Sequence, residues 1–511
     1  MKILSSLGRG LSHGSLAVVV CKTGMGLCAA WAAGLGWATE PSQKPLTSQS
    51  GSTPPPNVMI TIDDSGSMLS DAMPEGTFTV NSVSITLISK WVAGFPGDPR
   101  KGSTYGDCYA PADPASASMY QRYYRSPDIN TIWYSPDVRY QPWLKPKPAS
   151  DGSGVRMEAV ADPRKAPWDP VTAGLNPASF DLVTKRSINT TWCTNASTTS
   201  KGSRVFSPGI YYRLKPSSTD TPTQPKTPSD FVMYDVNGWD APWSPEVKSP
   251  DRTDCAGSRC TQAEELQNFA NWFTFYRMRE SMAKAAVTEV FFNFKDKLRA
   301  GWGRINKSSA TKVDGAGATQ TFPIVELGVK PLDATQLEAV LTGVQAIQSW
   351  PSTPLRTALD GVGKYFYKRT DAYSPWMNTP GATSAPGNVK LACRRTVNVL
   401  TTDGYYNDSY TAAGDQDTTA SAFSYPDDES DPDQNPGHYS PFAYTPSRPF
   451  SDAPNKYTNT LADAAMRWYV EDLDPTIANN IAPVDGDMAF WQHLTQFTVG
   501  IGVKGTLDAS H

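Results

Sequence analysis

Three short stretches place oxygen-bearing side chains where chemistry could be done: "DDSGS" at 63–67, "STPL" at 352–355 and "TTDG" at 401–404. The first supplies Asp63, Ser65 and Ser67 as D-x-S-x-S, the second Thr353, the third Asp403. Two carboxylates and three hydroxyls, without sulfur or imidazole, suit a hard divalent cation. Mg²⁺ fits best, because it takes octahedral oxygen donors and keeps several waters; Mn²⁺ and Ca²⁺ accept the same donor types. With so few direct negative ligands such an ion stays electrophilic and can take a carboxylate from another molecule. The chemistry is that of a docking point. The plain alternative for "DDSGS" alone is a Ser or Asp capping the next helix.

The elements around these pieces decide whether they can meet. "VMITI" (58–62) is an apolar run that stops at Asp63, the pattern of a strand buried on both faces of a parallel sheet. A long helix is expected over Ala263–Phe294, where Phe269, Trp272, Phe273, Tyr276, Ala283, Val287, Val290 and Phe291 recur at steps of three and four. "RAGWGRI" and "TFPIVELGV" read as strands, "DATQLEAVLTGVQAI" as a helix, and a second helix starts near Leu355. "TVNVLTTDG" reads as a buried strand ending at Asp403, "LADAAMRWYVEDL" as a helix and "FTVGIGV" as a last strand. The alternation implies an α/β fold, a mostly parallel sheet with helices on both faces. Parallel strands bring their C-terminal ends to one edge, where remote residues converge.

Residues 68–263 interrupt this rhythm and are too many for a loop, so they are read as an inserted domain, aromatic- and Pro-rich, with short strands and turns. Trp133, Tyr134, Tyr140 and Trp143 are expected in its core rather than on a binding face. The sheet domain is then split into 57–67 and 264–511, with a loop insertion at 405–455. From Asp403 to Gln434 there are nine acidic residues and no Lys or Arg. Asp427, Asp428, Asp431 and Asp433 lack the spacing of a calcium loop, and "DVNGWD" (Asp235–Asp240) is too short for one.

The termini and cysteines point to export. Lys2, Arg9 and Lys22 precede the apolar "MGLCAAWAAGLGWA", so residues 1–38 read as a signal peptide and 39–56, rich in Pro and Ser, as a linker. No later segment is apolar and long enough to span a bilayer. Cys108, Cys193, Cys255, Cys260 and Cys393 lie beyond the signal, an odd set. In an oxidising compartment Cys255 and Cys260, with four residues between them in "CAGSRC", form the best local disulfide pair.

A net charge of −4 leaves no electrostatic footprint for nucleic acid. A hydrolase would need His438 or His493 beside Ser65 or Ser67, and the chain has no G-x-S-x-G elbow. No enzyme activity is expected.

D-x-S-x-S, then T, then D on this alternation resembles the metal-ion-dependent adhesion site of von Willebrand factor A domains. That resemblance implies direct coordination by Ser65, Ser67 and Thr353, with Asp63 and Asp403 mainly behind them. Longer stretches are similar to the PilY family of type IV pilus tip proteins: "RTDCAGSRCTQAEELQNFANWFTFYRMRESMAKAA", "IWYSPDVRYQPW", "SPGIYYRLK", "STPLRTALDGVGKYF", "TTDGYYND", "NTLADAAMRWYVEDLD" and "WQHLTQFTVGIGVKGTL". The second resemblance implies an exported adhesin and pilus assembly factor that joins minor pilins at the fibre tip and binds a host-cell or surface ligand donating a carboxylate. The same resemblance implies a C-terminal β-propeller with a calcium site, for which this chain is too short. The alternative is a structural tip component that docks minor pilins by its insertion and leaves the metal site unused.

Overall fold

The computed structural model describes residues 54–502 apart from 75–76, 81–82, 87–91, 101–105, 108–116, 196–197, 216–226, 308–311, 314–318, 321, 350, 383–386, 417–422, 426–441, 445–450, 452–456, 485 and 488. The expected signal peptide, most of the linker, Cys108, His438 and Asp427–Asp433 lie outside the described residues, as does the side chain of Cys193.

Five strands form the central sheet. They are β1 (Asn57–Ile62), β2 (Arg299–Arg304), β3 (Val325–Pro331), β4 (Thr396–Thr402) and β5 (Thr495–Gly500), in the spatial order β3-β2-β1-β4-β5. β1 pairs in parallel with β2 (Ile60 opposite Trp302) and with β4 (Ile60 opposite Val399), and β4 pairs in parallel with β5. β3 runs antiparallel at the edge beyond β2. The order reverses at β1, so the crevice at the C-terminal ends of β1 and β4 is the switch point where such sheets bind ligands.

Every residue of β1 is buried, which the apolar run required. Val58, Ile60 and Ile62 face one layer, built with α2 (Arg279–Asn293) and α3 (Ala334–Gln345) through Val287, Phe291, Leu337, Val340, Leu341 and Val344. Met59 faces the other, built with α4 (Leu355–Phe366) and α5 (Leu461–Val470) through Leu359, Val362, Ala464 and Trp468. Thr61 is polar in this second layer, and its hydroxyl donates to Asn398 Oδ1 at 2.8 Å. Asp333 caps α3, and Thr460 with Asp463 forms a capping box on α5.

The single helix expected over Ala263–Phe294 is two. α1 (Gln262–Phe275) starts at a Thr261/Glu264 capping box and stops at Tyr276, and α2 begins three residues later with Met278 in extended conformation. One straight helix of that length would reach about 48 Å, too far for a single stripe to serve one layer. The break divides the stripe. Phe269, Trp272, Phe273 and Phe275 enter an aromatic cluster with Phe95, Tyr124, Trp133, Tyr134, Trp168, Phe180 and Tyr211, while Val287 and Phe291 cover the sheet. Two buried arginines hold the break: Arg277 donates to Phe273 O, Trp168 O and Asp98 Oδ2, and Arg279 N donates to Ser70 O at 3.0 Å.

The segment between β1 and α1 packs around that aromatic cluster with short strands and turns, as expected, but also with a helix, Met119–Tyr124, and a long antiparallel pair, Arg186–Asn195 with Thr198–Phe206, in which backbone pairing carries the chain well beyond a short strand. Trp133, Tyr134, Tyr140 and Trp143 are all buried. Its polar centre is Glu265 on α1, which accepts from the Tyr134 hydroxyl and from Arg252 Nη1 at 2.9 Å. Cys255 and Cys260 are joined by a disulfide, and Cys393 is free among the described residues.

Two glycines show how tightly the helices sit. A Cβ on Gly343 of α3 would lie 2.3 Å from the Trp302 ring, and one on Gly363 of α4 would lie 2.2 Å from the Trp468 ring. Neither indole has room to retreat, since both rings are buried. Gly363→Ala should therefore destabilise by about 1–3 kcal/mol from overpacking, although alanine favours helix by about 1 kcal/mol. Urea unfolding of the two proteins measures the difference.

Candidate functional site

Asp63 follows directly on β1, and its amide still donates to Thr401 O on β4 at 3.0 Å. The chain then turns back into a short 3₁₀ turn, Gly66–Leu69. Asp63 holds that turn: its Oδ1 accepts from Ser65 N at 2.7 Å, and its Oδ2 accepts from Thr402 Oγ1 at 2.7 Å and from Asp403 N at 3.4 Å. One carboxylate thus fastens the ends of two neighbouring strands.

The hydroxyls form a relay. Ser67 Oγ donates to Asp403 Oδ1 at 2.7 Å, and Ser65 Oγ lies 2.8 Å from Ser67 Oγ. A hydroxyl has one proton to give, so with Ser67 donating to Asp403, Ser65 donates to Ser67. Asp63, Ser65 and Asp403 are fully buried, and Ser67 is half-buried.

Thr353 reaches the same rim on the loop before α4. Its amide donates to Asn407 Oδ1 at 2.8 Å, and its carbonyl accepts from Asn407 N at 3.1 Å. Asn407 belongs to the loop that follows Asp403. Arg356 and Thr357, at the start of α4, hold that loop through Asp408, whose Oδ2 accepts from Thr357 N at 2.8 Å and whose Oδ1 accepts from Arg356 Nε at 3.1 Å. On the other side Asn306 Nδ2 joins Ser352 O at 2.9 Å to Asp64 Oδ1 at 3.0 Å. Asp64 also pairs with Arg304 Nη1 at 2.9 Å. Hydrogen bonds therefore tie all three sequence pieces to the β1/β4 crevice.

Arg279 is the residue at this site that the sequence pattern did not single out. Its Nη1 donates to Asp403 Oδ2 at 2.8 Å, and its Nε and Nη2 donate to Ala72 O at 2.9 and 2.7 Å. Both members of the Arg279–Asp403 pair are fully buried. Arg279 thus links the start of α2, the first turn after the serines and the end of β4. "YRMRES" gave no signal for this, because nothing local marks which of its two arginines reaches Asp403 and which reaches Asp98.

Burial pushes the Asp63 carboxyl up to about 6, with the negative Asp403 beside it adding to the rise and the Ser65 and Thr402 bonds opposing it. Among the described residues no group of three or more His, Cys, Asp or Glu side chains is poised around one point. The hydroxyls gathered on the two carboxylates are those of Ser65, Ser67 and Thr402, while Thr353 is held beside them through its backbone.

The other candidates are structural. His493 is buried, with its Nδ1 2.7 Å from Trp491 O and its Nε2 3.1 Å from Asp487 Oδ2, so it is engaged far along the chain from either serine. Asp235 accepts from Asn237 N at 2.9 Å and Asp240 N at 2.7 Å, which closes "DVNGWD" on its own backbone.

Two outcomes follow. A carboxyl raised in the folded state stabilises while protonated, and that contribution is lost as pH rises from the unfolded value near 3.8 through about 6. In chelator, the stability of Asp63→Asn minus that of wild type should therefore grow by about 2 kcal/mol between pH 4 and pH 7.5, as read from urea unfolding at each pH. Arg279→Leu leaves Asp403 buried without its cation and should cost about 3–5 kcal/mol, measured in the same way.

Comparison with known proteins agrees with this chain's sequence features. It is 24% identical over 482 residues, 91% of its length, to the type IV pilus biogenesis factor PilY1 of Pseudomonas aeruginosa strain UCBPP-PA14. It is 27% identical over 263 residues, 48% of its length, to PilY1 of Pseudomonas aeruginosa strain PAK. The chain spans 32% and 20% of those relatives respectively. No protein-family model and no solved structure matches it. The curated proteins this chain is similar to are PilY1, type IV pilus biogenesis factors.

Proposed function

We propose that this chain acts at a type IV pilus as an exported adhesin and assembly factor, and that the β1/β4 crevice is a metal-ion-dependent adhesion site of a von Willebrand factor A-like domain. The observation that carries the reading is the Ser65–Ser67–Asp403 relay, with Asp63 fastening the two strand ends behind it. Kinship to PilY1 supports the pilus assignment.

The donor set fits a hard divalent cation, Mg²⁺ first, with Mn²⁺ or Ca²⁺ as substitutes. Adjacent vertices of a Mg²⁺ octahedron lie about 2.9 Å apart, and the two serine oxygens lie 2.8 Å apart. Ser65, Ser67 and Thr353 would hold the ion directly. The Asp63 oxygens are already engaged by Ser65, Thr402 and the Asp403 amide, which suits a role behind the ligands. Asp403 would orient Ser67 by accepting its proton, and Arg279 would offset part of the negative charge. When bound, the ion supplies an electrophilic centre for a partner's carboxylate.

The surroundings suit a partner. Tyr405, 72% exposed, and Tyr406, 39% exposed, stand on the loop directly after Asp403. The Arg356 guanidinium sits 4.1 Å above the Tyr406 ring and steadies it. Minor pilins and a host-cell or surface ligand are the partners this reading names. Among the described residues no helix is long and apolar enough to cross a membrane.

The test is metal-dependent capture. Mg²⁺ should raise the melting temperature of the wild-type chain, while Asp63→Ala and Ser65→Ala should remove most of that rise and keep the sheet's circular dichroism. Minor pilins retained by the wild-type chain should be released by EDTA and not retained by Ser65→Ala. Capture that survives both treatments would reject the adhesion site and leave a structural docking role.

A further inference from the structure

The opposite end of the sheet carries a second polar feature. A cavity of about 210 Å³ opens where β2 begins and where the chain approaches β4, with Arg299, Arg394, Asn378 and Leu298 in its wall. Arg299 is 2% exposed and Arg394 1% exposed. Arg299 donates only to neutral oxygens: Asn57 Oδ1 at 2.8 Å, Asn378 O at 2.6 Å and Pro375 O at 3.1 Å. Arg394 Nη1 donates to Met377 O at 3.0 Å, and its buried Nε has no partner.

Two carboxylates also line the cavity, and both are engaged elsewhere. Asp333 Oδ1 accepts from Gln336 N at 2.9 Å as the cap of α3, and Asp296 pairs with Lys295 at 2.6 Å. Among the described residues neither Arg299 nor Arg394 lies within ion-pair distance of a carboxylate. Both line one cavity, and the charge of Arg394 acts on Arg299. Burial and then Arg394 hold the Arg299 guanidinium down at about 9, and burial holds Arg394 at about 10. An uncompensated buried charge costs several kcal/mol unless a partner meets it. Here two such charges sit side by side at an open cavity, one with an N–H still to give.

We propose that this cavity binds a small oxyanion, a carboxylate or a phosphate, clamped between the Arg299 and Arg394 guanidiniums. The planar fork of arginine presents parallel N–H groups matched to two oxygens of either anion. The site lies at the strand ends remote from Asp63 and does not depend on a metal.

The experiment titrates the full chain in EDTA with inorganic phosphate and, separately, acetate, at constant ionic strength with chloride as reference. Calorimetry should show saturable binding of at least one, and the stronger arm names the chemistry. Arg394→Gln should weaken it at least tenfold, while Arg394→Lys, which keeps the charge and loses the fork, should fall between. Should Arg394→Gln fail to fold, ¹⁵N-arginine spectra of the wild-type chain decide: two Nε–H resonances should move on titration. Absence of saturable binding to wild type, static Nε–H resonances, or equal affinity in folded Arg394→Gln would overturn the proposal.

Discussion

Two buried carboxylates at the ends of adjacent parallel strands set the terms for this crevice. Asp63 and Asp403 are both removed from water, and the negative Asp403 adds to the cost of ionising Asp63. The surroundings answer with donors: a backbone amide and the Thr402 hydroxyl on Asp63, and Ser67 and a buried guanidinium on Asp403. The local backbone serves this pairing. The 3₁₀ turn after β1, the break before α2 and the loop after β4 each bring one donor to one oxygen.

The same bonds join the sheet to the long segment that leaves it. Arg279 opens α2, yet its guanidinium grips Ala72 O just past the serines and Asp403 at the end of β4. A change in the segment beyond Ala72 is therefore mechanically adjacent to the crevice. That segment packs its aromatics with those of α1, Phe95 stacking on Trp133 at 5.6 Å and Trp133 meeting Trp272 edge-on at 5.1 Å. Most of its described aromatic side chains are buried, Trp239 being an exception, and Tyr405 and Tyr406 are exposed beside the crevice.

Electrostatically the sheet has two unlike ends. Carboxylates and hydroxyls gather at the C-terminal ends of β1 and β4, and an arginine pair gathers where β2 and β4 begin. At the carboxylate end the buried Arg279 meets Asp403, whereas Arg299 and Arg394 have no carboxylate partner among the described residues. Buried charge is expensive in stability, and in proteins such groups concentrate where something binds.

Much of the architecture was legible in the residues alone, because burial on one face or two imposes a period on the chain. The "VMITI" and "TVNVLTT" runs are the strands β1 and β4, and the helices expected near Leu355 and from Leu461 begin there. The oxygen pieces at 63–67 and 401–403 were legible too, since a strand that stops at polar residues marks the sheet's edge. What folding in three dimensions alone decided is which distant groups touch. The antiparallel course of β3, the split of the 263–294 helix, Arg279 on Asp403 and Arg394 beside Arg299 all rest on contacts between remote segments. Periodicity reports which face a residue takes. It carries no information about the partner waiting on that face, and charge pairing depends on the partner.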